Sequence, residues 1–426
     1  MILKRGLMMA NVQTNTSLPE PKPMGYKELL SIRHYLYLLG AQFVSDLGEG
    51  VYRLALAWAM LQMTGSALMM STVLVAQMVP AIIFGIFAGV MVDRGNKRKY
   101  MLQADFYRGL VVAAVVALWY LEWLQPWMLI VASVILASFT AFFTPARSVA
   151  VRFLVPDHAL MQAKSLSSST NTIVSLVAPA LGGLLVAIDM GLAFLVNAVT
   201  FFLSLLLISL IRNEELTKVV EGKLNFAIFK KSLQEGYKTI MGNPTLKSLV
   251  YYVVLLNLLL APSGVLIPMY AFQVSDMGAT GLAVFEITYF AGVLLGSIAL
   301  GYLTRWPKIA LVITGIVLLL VAFLALAFVE NFYIATVLML VLGLGTPMTN
   351  VPLSTMFALK VPRELLGRAS SAIGILTMTS APLALSLSGS VLAMVSISEF
   401  FMYISGFGLL LVVMMLLNPV IRKSEA

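Results

Sequence analysis

Apolar residues along this chain gather into long runs broken by short polar turns, a pattern too long for buried strands and without the polar face of a soluble amphipathic helix. A helix needs about 20 apolar residues to cross the hydrocarbon core of a bilayer. Twelve runs meet that length, near 35–62, 67–92, 100–121, 127–154, 163–187, 190–211, 246–273, 281–304, 308–329, 332–357, 370–394 and 398–418. The pattern predicts an all-α membrane protein of twelve transmembrane helices. Its longest polar interruption, 212–245, separates six runs in 34–211 from six in 246–418 and leaves tails at 1–33 and 419–426.

The halves echo each other. "TPARSVAVRFLVPDHALMQAKS" (144–165) closes the fourth run and "VPLSTMFALKVPRELLGRASS" (351–371) closes the tenth, each with two prolines and a basic turn. The next run then carries Ala178-Pro179 in one half and Ala381-Pro382 in the other. A duplicated six-helix unit, giving two pseudo-symmetric bundles with a site between them, is the signature of a transporter that works by rocking. In the linker, Leu224, Ala227, Ile228, Leu233, Tyr237 and Ile240 share one helical face and Lys230, Lys231, Glu235 and Lys238 the other. That spacing predicts an amphipathic helix on the membrane surface, either a tether or a regulatory element.

Composition agrees: 60% of residues are hydrophobic and 11% charged, against about a quarter charged in soluble domains. The net charge of +9 would suit nucleic acid, but its distribution is that of membrane topology. One set of turns holds Glu122, Asp189, Asp276, Glu330 and Glu399 with no Lys or Arg. The other holds the basic residues: Lys4, Arg5, Lys22, Lys27 and Arg33, then Arg94, Lys97, Arg98 and Lys99, the central segment, Arg305, Lys308, Lys360, Arg363, Arg368, Arg422 and Lys423. Lys and Arg are enriched on the cytoplasmic side, so the expectation is a multi-pass protein of the inner membrane with both termini in the cytoplasm. The first 33 residues lack an apolar stretch long enough for a signal peptide and are expected to be retained and disordered.

The chain has no cysteine, which removes disulfides, thiolate metal sites and cysteine nucleophiles. His34 and His158 stand alone, so no metal site is expected. Phosphate-binding loops and hydrolase motifs are missing, and neither a cofactor nor an enzymatic reaction is expected.

Candidate chemistry lies where charge enters the apolar runs. "FVSDLGEGVYRLALAW" (43–58) puts Asp46, Glu49 and Arg53 near the middle of the first run. Each would cost about 2.5–3.5 kcal/mol in lipid, so they must face protein or water. At about 100° per residue the three project within about 60° of one another, a single polar stripe. Glu49 and Arg53 have the spacing of an ion pair, which leaves Asp46 as the spare carboxylate for proton coupling. The alternative is a fixed structural ion cluster. Asp105 and Arg108, three apart near one end of the third run, are expected to pair with each other or with the turn at 89–99 as a gate latch. Glu286 has no basic partner in its own run, and is either a second-half site for a cation or proton or a residue snorkelling to the surface. Gly85 and Gly89 share a face of the second run, which allows a neighbouring helix to approach closely.

Residues 89–99, "GVMVDRGNKRK", resemble the signature between the second and third spans of the major facilitator superfamily, carried here by Gly89, Asp93, Arg94 and Arg98, with Asn96 where that pattern usually has a second glycine. "APALGG" (178–183) resembles the antiporter motif of the superfamily's drug exporters at Pro179, Gly182 and Gly183. "DLGEGVYRLALAWAMLQMTGSA" and "FFTPARSVAVRFLVP" look like the drug:proton antiporter branch that contains macrolide-efflux proteins and the enterobactin exporter. The resemblance implies alternating access between two six-helix bundles. Asp93 and Arg147 would then approach each other to latch the outward-facing state, unless the basic turn only fixes topology. The function expected is proton-coupled export of an amphipathic drug-like compound or secreted metabolite, by a monomer whose partners are that small molecule, protons and the lipid bilayer. A lipid or lysolipid flippase is the alternative, and a non-transporting membrane scaffold the third reading.

Overall fold

The computed structural model describes residues 25–219, 226–274, 278–303, 305–362 and 365–420; the expectations for the tail before residue 25, for Leu224, for Asp276, Arg363, Arg422 and Lys423 lie outside them. Every regular element among the described residues is helical. In chain order these are α1 (Tyr26–Ser31), α2 (Arg33–Thr64), α3 (Ala67–Arg94), α4 (Lys97–Tyr120), α5 (Pro126–Leu154), α6 (Leu160–Ile188), α7 (Met190–Ser209) and α8 (Glu214–Thr217). They continue with α9 (Phe226–Met241), α10 (Pro244–Leu260), α11 (Ser263–Val274), α12 (Ala279–Tyr302), α13 (Lys308–Leu326), α14 (Phe332–Lys360), α15 (Leu366–Val391) and α16 (Ile397–Leu417).

Eleven spans among the described residues are long and apolar enough to cross a membrane. α2 has 32 residues and ample length, but Asp46, Glu49 and Arg53 lower its apolarity and set it apart from the eleven. The seventh predicted run is a broken span, α10 followed by α11, because Pro262 has no N–H to continue the helix. The polar turns are helix starts: the side chains of Asn96, Asn243, Asn331 and Ser396 each accept a bond from a first-turn N–H of α4, α10, α14 and α16. Asp189 does the same for α7 through Gly191 N–H at 2.8 Å. Burial pushes the Asp189 carboxyl up, but the bonds from Gly191, Tyr120 and Trp119 outweigh it and hold the group below its ordinary value.

Packing repeats between halves: α3 on α5, α4 on α5 and α4 on α7 in the first are matched by α12 on α14, α13 on α14 and α13 on α16 in the second. The halves meet along two related seams, α6 on α12 and α15 on α3. Both seams are tight at the end that carries the acidic turns. Gly183 admits Ala279 and Ala283, Gly389 admits Leu68 and Ser71, and the Trp58 and Phe272 rings meet at a tilt, 5.5 Å between centroids. At the opposite, basic end α3 and α15 stand apart: no described atom of another element lies within 4 Å of a Cβ built on Gly85, Gly89 or Gly374. The close approach expected at Gly85 and Gly89 is therefore not made in this conformation, which is shut at the acidic end and open at the basic end. α9 docks on α10 and α15, with Glu235 paired to Arg368. Of the apolar face expected there, Ile240 is fully buried and Tyr237 is exposed, and the side chains of 226–233 lie outside the description.

Candidate functional site

The first-run charges owe their orientation to two glycines. A Cβ on Gly50 would stand 2.6 Å from Ala178 Cβ of α6, and one on Gly48 would stand 2.8 Å from Thr200 Cβ of α7. Without side chains there, α2 lies flush against both neighbours and its polar stripe turns toward α4 and α5.

The stripe does not pair as its spacing suggested. Asp46 accepts a bond from Arg147 Nη1 at 2.8 Å, both side chains about four-fifths buried. Glu49 stands 3.8 Å from Arg108 Nη1 with its side chain 49% exposed. Arg53, exposed one turn further along, is not its partner. The reason lies in α4 and α5, which bring guanidinium groups to the stripe that no same-helix rule can see. Asp46 is thus the paired carboxylate and Glu49 the freer one.

Arg108 is engaged from several sides. It is ion-paired to Asp105, bonds Thr140 Oγ1 at 3.3 Å, and lies between the rings of Phe143 and Phe201 at 4.3 and 4.5 Å. Asp105 also accepts from Ser204 Oγ at 2.6 Å, and neither residue of the pair is more than 1% exposed. Asp105 and Arg108 therefore pair with each other inside the first half and not with the turn before α4. Because Asp105 already balances Arg108, Glu49 adds a further negative charge at the edge of the passage. Arg53 is the basic residue nearest in effect to the partly buried Glu286 of α12, but no ion pair within 4 Å joins the two among the described residues.

At the basic end a hollow of about 1010 Å³ is lined by Asp93, Arg147, Lys164, Gln42 and Asn171 among others. Gln42 Nε2 donates to Asn171 Oδ1 at 2.9 Å across it. Asp93 and Arg147 share this hollow, with Arg147 held by Asp46 and no Asp93–Arg147 pair among the described residues; their expected contact belongs to the state closed at the basic end, and here that end is open. The basic turn works locally as a set of helix caps. Lys97, 3% exposed, donates from Nζ to Asp93 O at the end of α3, and Arg98 Nη2 donates to Ser209 O at the end of α7. Arg94 ends α3, and Gly89 faces the opening. In the second half a more apolar hollow of about 520 Å³ lies between α10, α14 and α15, with Asn350 and Gly374 on its wall.

Of the antiporter-like residues, Gly182 lets α6 lie against Val51 and Leu54 of α2, Gly183 lets it meet α12, and Pro179 sits between them and the body of α6. Of the three, Gly183 forms part of the closed seam.

The family model described as Major Facilitator Superfamily matches residues 38–385. The chain belongs to the Major Facilitator Superfamily. Macrolide efflux protein A of Streptococcus pyogenes is 25% identical to this superfamily member over 392 residues, 90% of this chain and 94% of that protein. The multidrug efflux pump Tap of Mycolicibacterium fortuitum is 28% identical over 403 residues, 92% of this chain and 97% of the pump. Among solved structures, the nucleoside transporter NupG superposes with a TM-score of 0.75 at 12% identity, covering 90% of this chain and 98% of that one. A bacterial homologue of the iron transporter ferroportin in an inward-facing state superposes with 0.72 at 18% identity, covering 93% and 99%. The chain is accordingly a multi-pass membrane transporter of this superfamily and not an enzyme.

Sequence reasoning passed over Tyr52, Gln77, Ser133, Thr140, Asn197 and Ser204, which surround Arg108 and Glu49. Gln77 and Asn197, lone amides inside apolar runs, were the visible signal. The hydroxyls carried none, because Ser and Thr bond their own helix as readily as a neighbour.

Proposed function

We propose that this chain exports an amphipathic, drug-like or secreted small molecule from the cytoplasm in exchange for protons, as a monomer in the inner membrane. In this reading α2 is the first of twelve crossings, the basic end and both termini are cytoplasmic, and the conformation is inward-open. One observation carries the proton assignment: Glu49 is half-exposed to the passage beside an arginine whose charge Asp105 already balances. Asp46 is engaged with Arg147, so Glu49 is the better coupling carboxylate, with Glu286 of α12 as the second-half carboxylate and Arg53 the cation between them in the proposed cycle. A proton moving down the membrane potential releases about 2.3 kcal/mol per 100 mV, which a carboxylate exposed alternately to each side couples to substrate movement. The efflux names of the relatives support the direction and the substrate class.

The test is transport of erythromycin and tetraphenylphosphonium in proteoliposomes under an imposed pH gradient. Glu49→Gln is expected to lose uphill movement at least 10-fold and to keep downhill exchange. Normal uphill pumping by that variant would remove Glu49 from the coupling role. The apolar hollow of α10, α14 and α15 favours a lipid or lysolipid flippase as second reading. Vesicles carrying fluorescent lipid, with faster flipping in the presence of the protein and no drug transport, would select it.

A further inference from the structure

Two hollows flank the open seam at the basic end, and they differ in chemistry. Asp93 at the end of α3 lines the first, of about 1010 Å³, with residues of α2, α5 and α6. Ser370, Ile373 and Gly374 of α15 line the second, of about 520 Å³, with residues of α10 and α14. Because α3 and α15 are the two sides of that seam, the hollows lie on opposite sides of one opening. Each is large enough for a small molecule, whose sites run to about 300–1,000 Å³. The second has no charged residue in its lining, and Val253, Val351, Ala358 and Ile373 are partly or fully exposed on its wall.

The first hollow is charged, and its charges do not balance. Of its lining residues Arg147 is neutralised by Asp46. Arg152 and Lys164 are exposed, and neither belongs to an ion pair among the described residues. Behind the wall Lys97, 3% exposed, donates to the Asp93 carbonyl and lies 5.9 Å from the ring centroid of Phe153, a lining residue; it too has no ion pair among the described residues. Three cations thus stand against the Asp93 carboxylate, and the potential in the hollow is positive. α6 adds to it: the helix begins at Leu160 on this wall with no side-chain cap and no acidic residue in its first turn, and Asp157 in the preceding turn lies outside the lining. Exposed Ser148 and Ser168 offer hydroxyls, and Asn171, whose oxygen is taken by Gln42, keeps its N–H donors. A guest suited to both sides carries an anionic acceptor at one end and an apolar body at the other.

We propose that the basic-end mouth of the passage is a binding site for amphiphiles with an oxyanion head, such as a carboxylate, sulfonate or phosphate, the head beside Arg152 and Lys164 and the apolar tail against the hollow of α10, α14 and α15. This narrows the substrate class and rests on the exporter reading only for what becomes of the guest after binding. The probe is 11-(dansylamino)undecanoic acid, compared with its primary amide, which lacks the charge of the head. In the purified chain in dodecyl maltoside the acid is expected to bind at least 10-fold more tightly than the amide. Comparing proteins in the same micelle cancels the probes' own partition into detergent. Lys164→Gln should cut the ratio of the two dissociation constants at least 3-fold, and Lys164→Gln with Arg152→Gln should bring it within 2-fold of unity; both positions are exposed, so the fold is kept. Ala358→Asp, which puts a charge on the apolar wall, should weaken both probes at least 5-fold. Equal affinity for acid and amide in the unaltered chain, or an unchanged ratio in the double variant, would mean that the basic residues serve topology alone and overturn the proposal. Dodecanoate and lysophosphatidylglycerol are the displacers. Displacement of the acid by either supports the oxyanion head, the lysolipid acting at lower concentration would give that head a lipid source, and displacement by neither would overturn the site. Acid bound with the expected ratio but not moved under a pH gradient in proteoliposomes would count against the exporter reading alone.

Discussion

Arg147 on α5 donates to Asp46 on α2 at 2.8 Å, tying together two helices a hundred residues apart in the chain through one charge-assisted bond in a partly buried setting. Such bonds contribute about 1.5–3 kcal/mol, and removing one partner leaves the other charge uncompensated. Asp46→Asn and Arg147→Leu are each expected to lower the melting temperature in detergent, and the exchange Asp46→Arg with Arg147→Asp to restore part of it. Asp46→Asn should keep pH-driven uphill transport. Loss of uphill transport at unchanged stability would return the coupling role to Asp46.

Arg108 is the more severe case. Arg108→Met leaves Asp105 charged, unpaired and wholly buried, which costs about 3–5 kcal/mol. Little folded protein is expected in the membrane fraction. Adding Asp105→Asn removes the orphaned charge and should recover yield and thermal stability, a coupling that a double-mutant cycle measures. Independent, additive losses would show that the two do not act as a buried pair.

The open seam makes a geometric prediction. α3 and α15 run antiparallel and already touch at Ser71 and Gly389, and continuing that register toward the basic end brings Gly85 level with Gly374 to within one residue. Rocking closed should bring those faces into contact. In the cysteine-free background, Gly85→Cys with Gly374→Cys is expected to cross-link on oxidation during turnover and stop transport until reduced. Full transport with the disulfide formed would mean that the halves do not close along this seam.

Orientation has a direct measurement. Glu330→Cys, in an acidic turn, should react with an impermeant thiol reagent added outside intact cells, while Lys360→Cys, in a basic turn, should react only after the membrane is opened. The reverse pattern would invert the topology and with it the assignment of the open end to the cytoplasm.

The sequence by itself determined what depends on solvent and on local spacing. Lipid demands long apolar helices, so the all-helical membrane fold and the superfamily follow from hydropathy, turn chemistry and short motifs. The charged stripe at Asp46, Glu49 and Arg53 was legible too, since three charges in an apolar run must meet protein or water. Its partners were not. Helical spacing ranks neighbours on one helix, and so joined Glu49 to Arg53. The fold instead joins Asp46 to Arg147 and brings Glu49 to 3.8 Å from Arg108. Only the tertiary structure decided that Asp46 is the carboxylate held by Arg147 and which end of the α3–α15 seam is shut. Each depends on which faces of distant helices meet, and in a bilayer that is settled by close packing at small residues such as Gly48, Gly50 and Gly183, whose contacts no pattern along a single helix records.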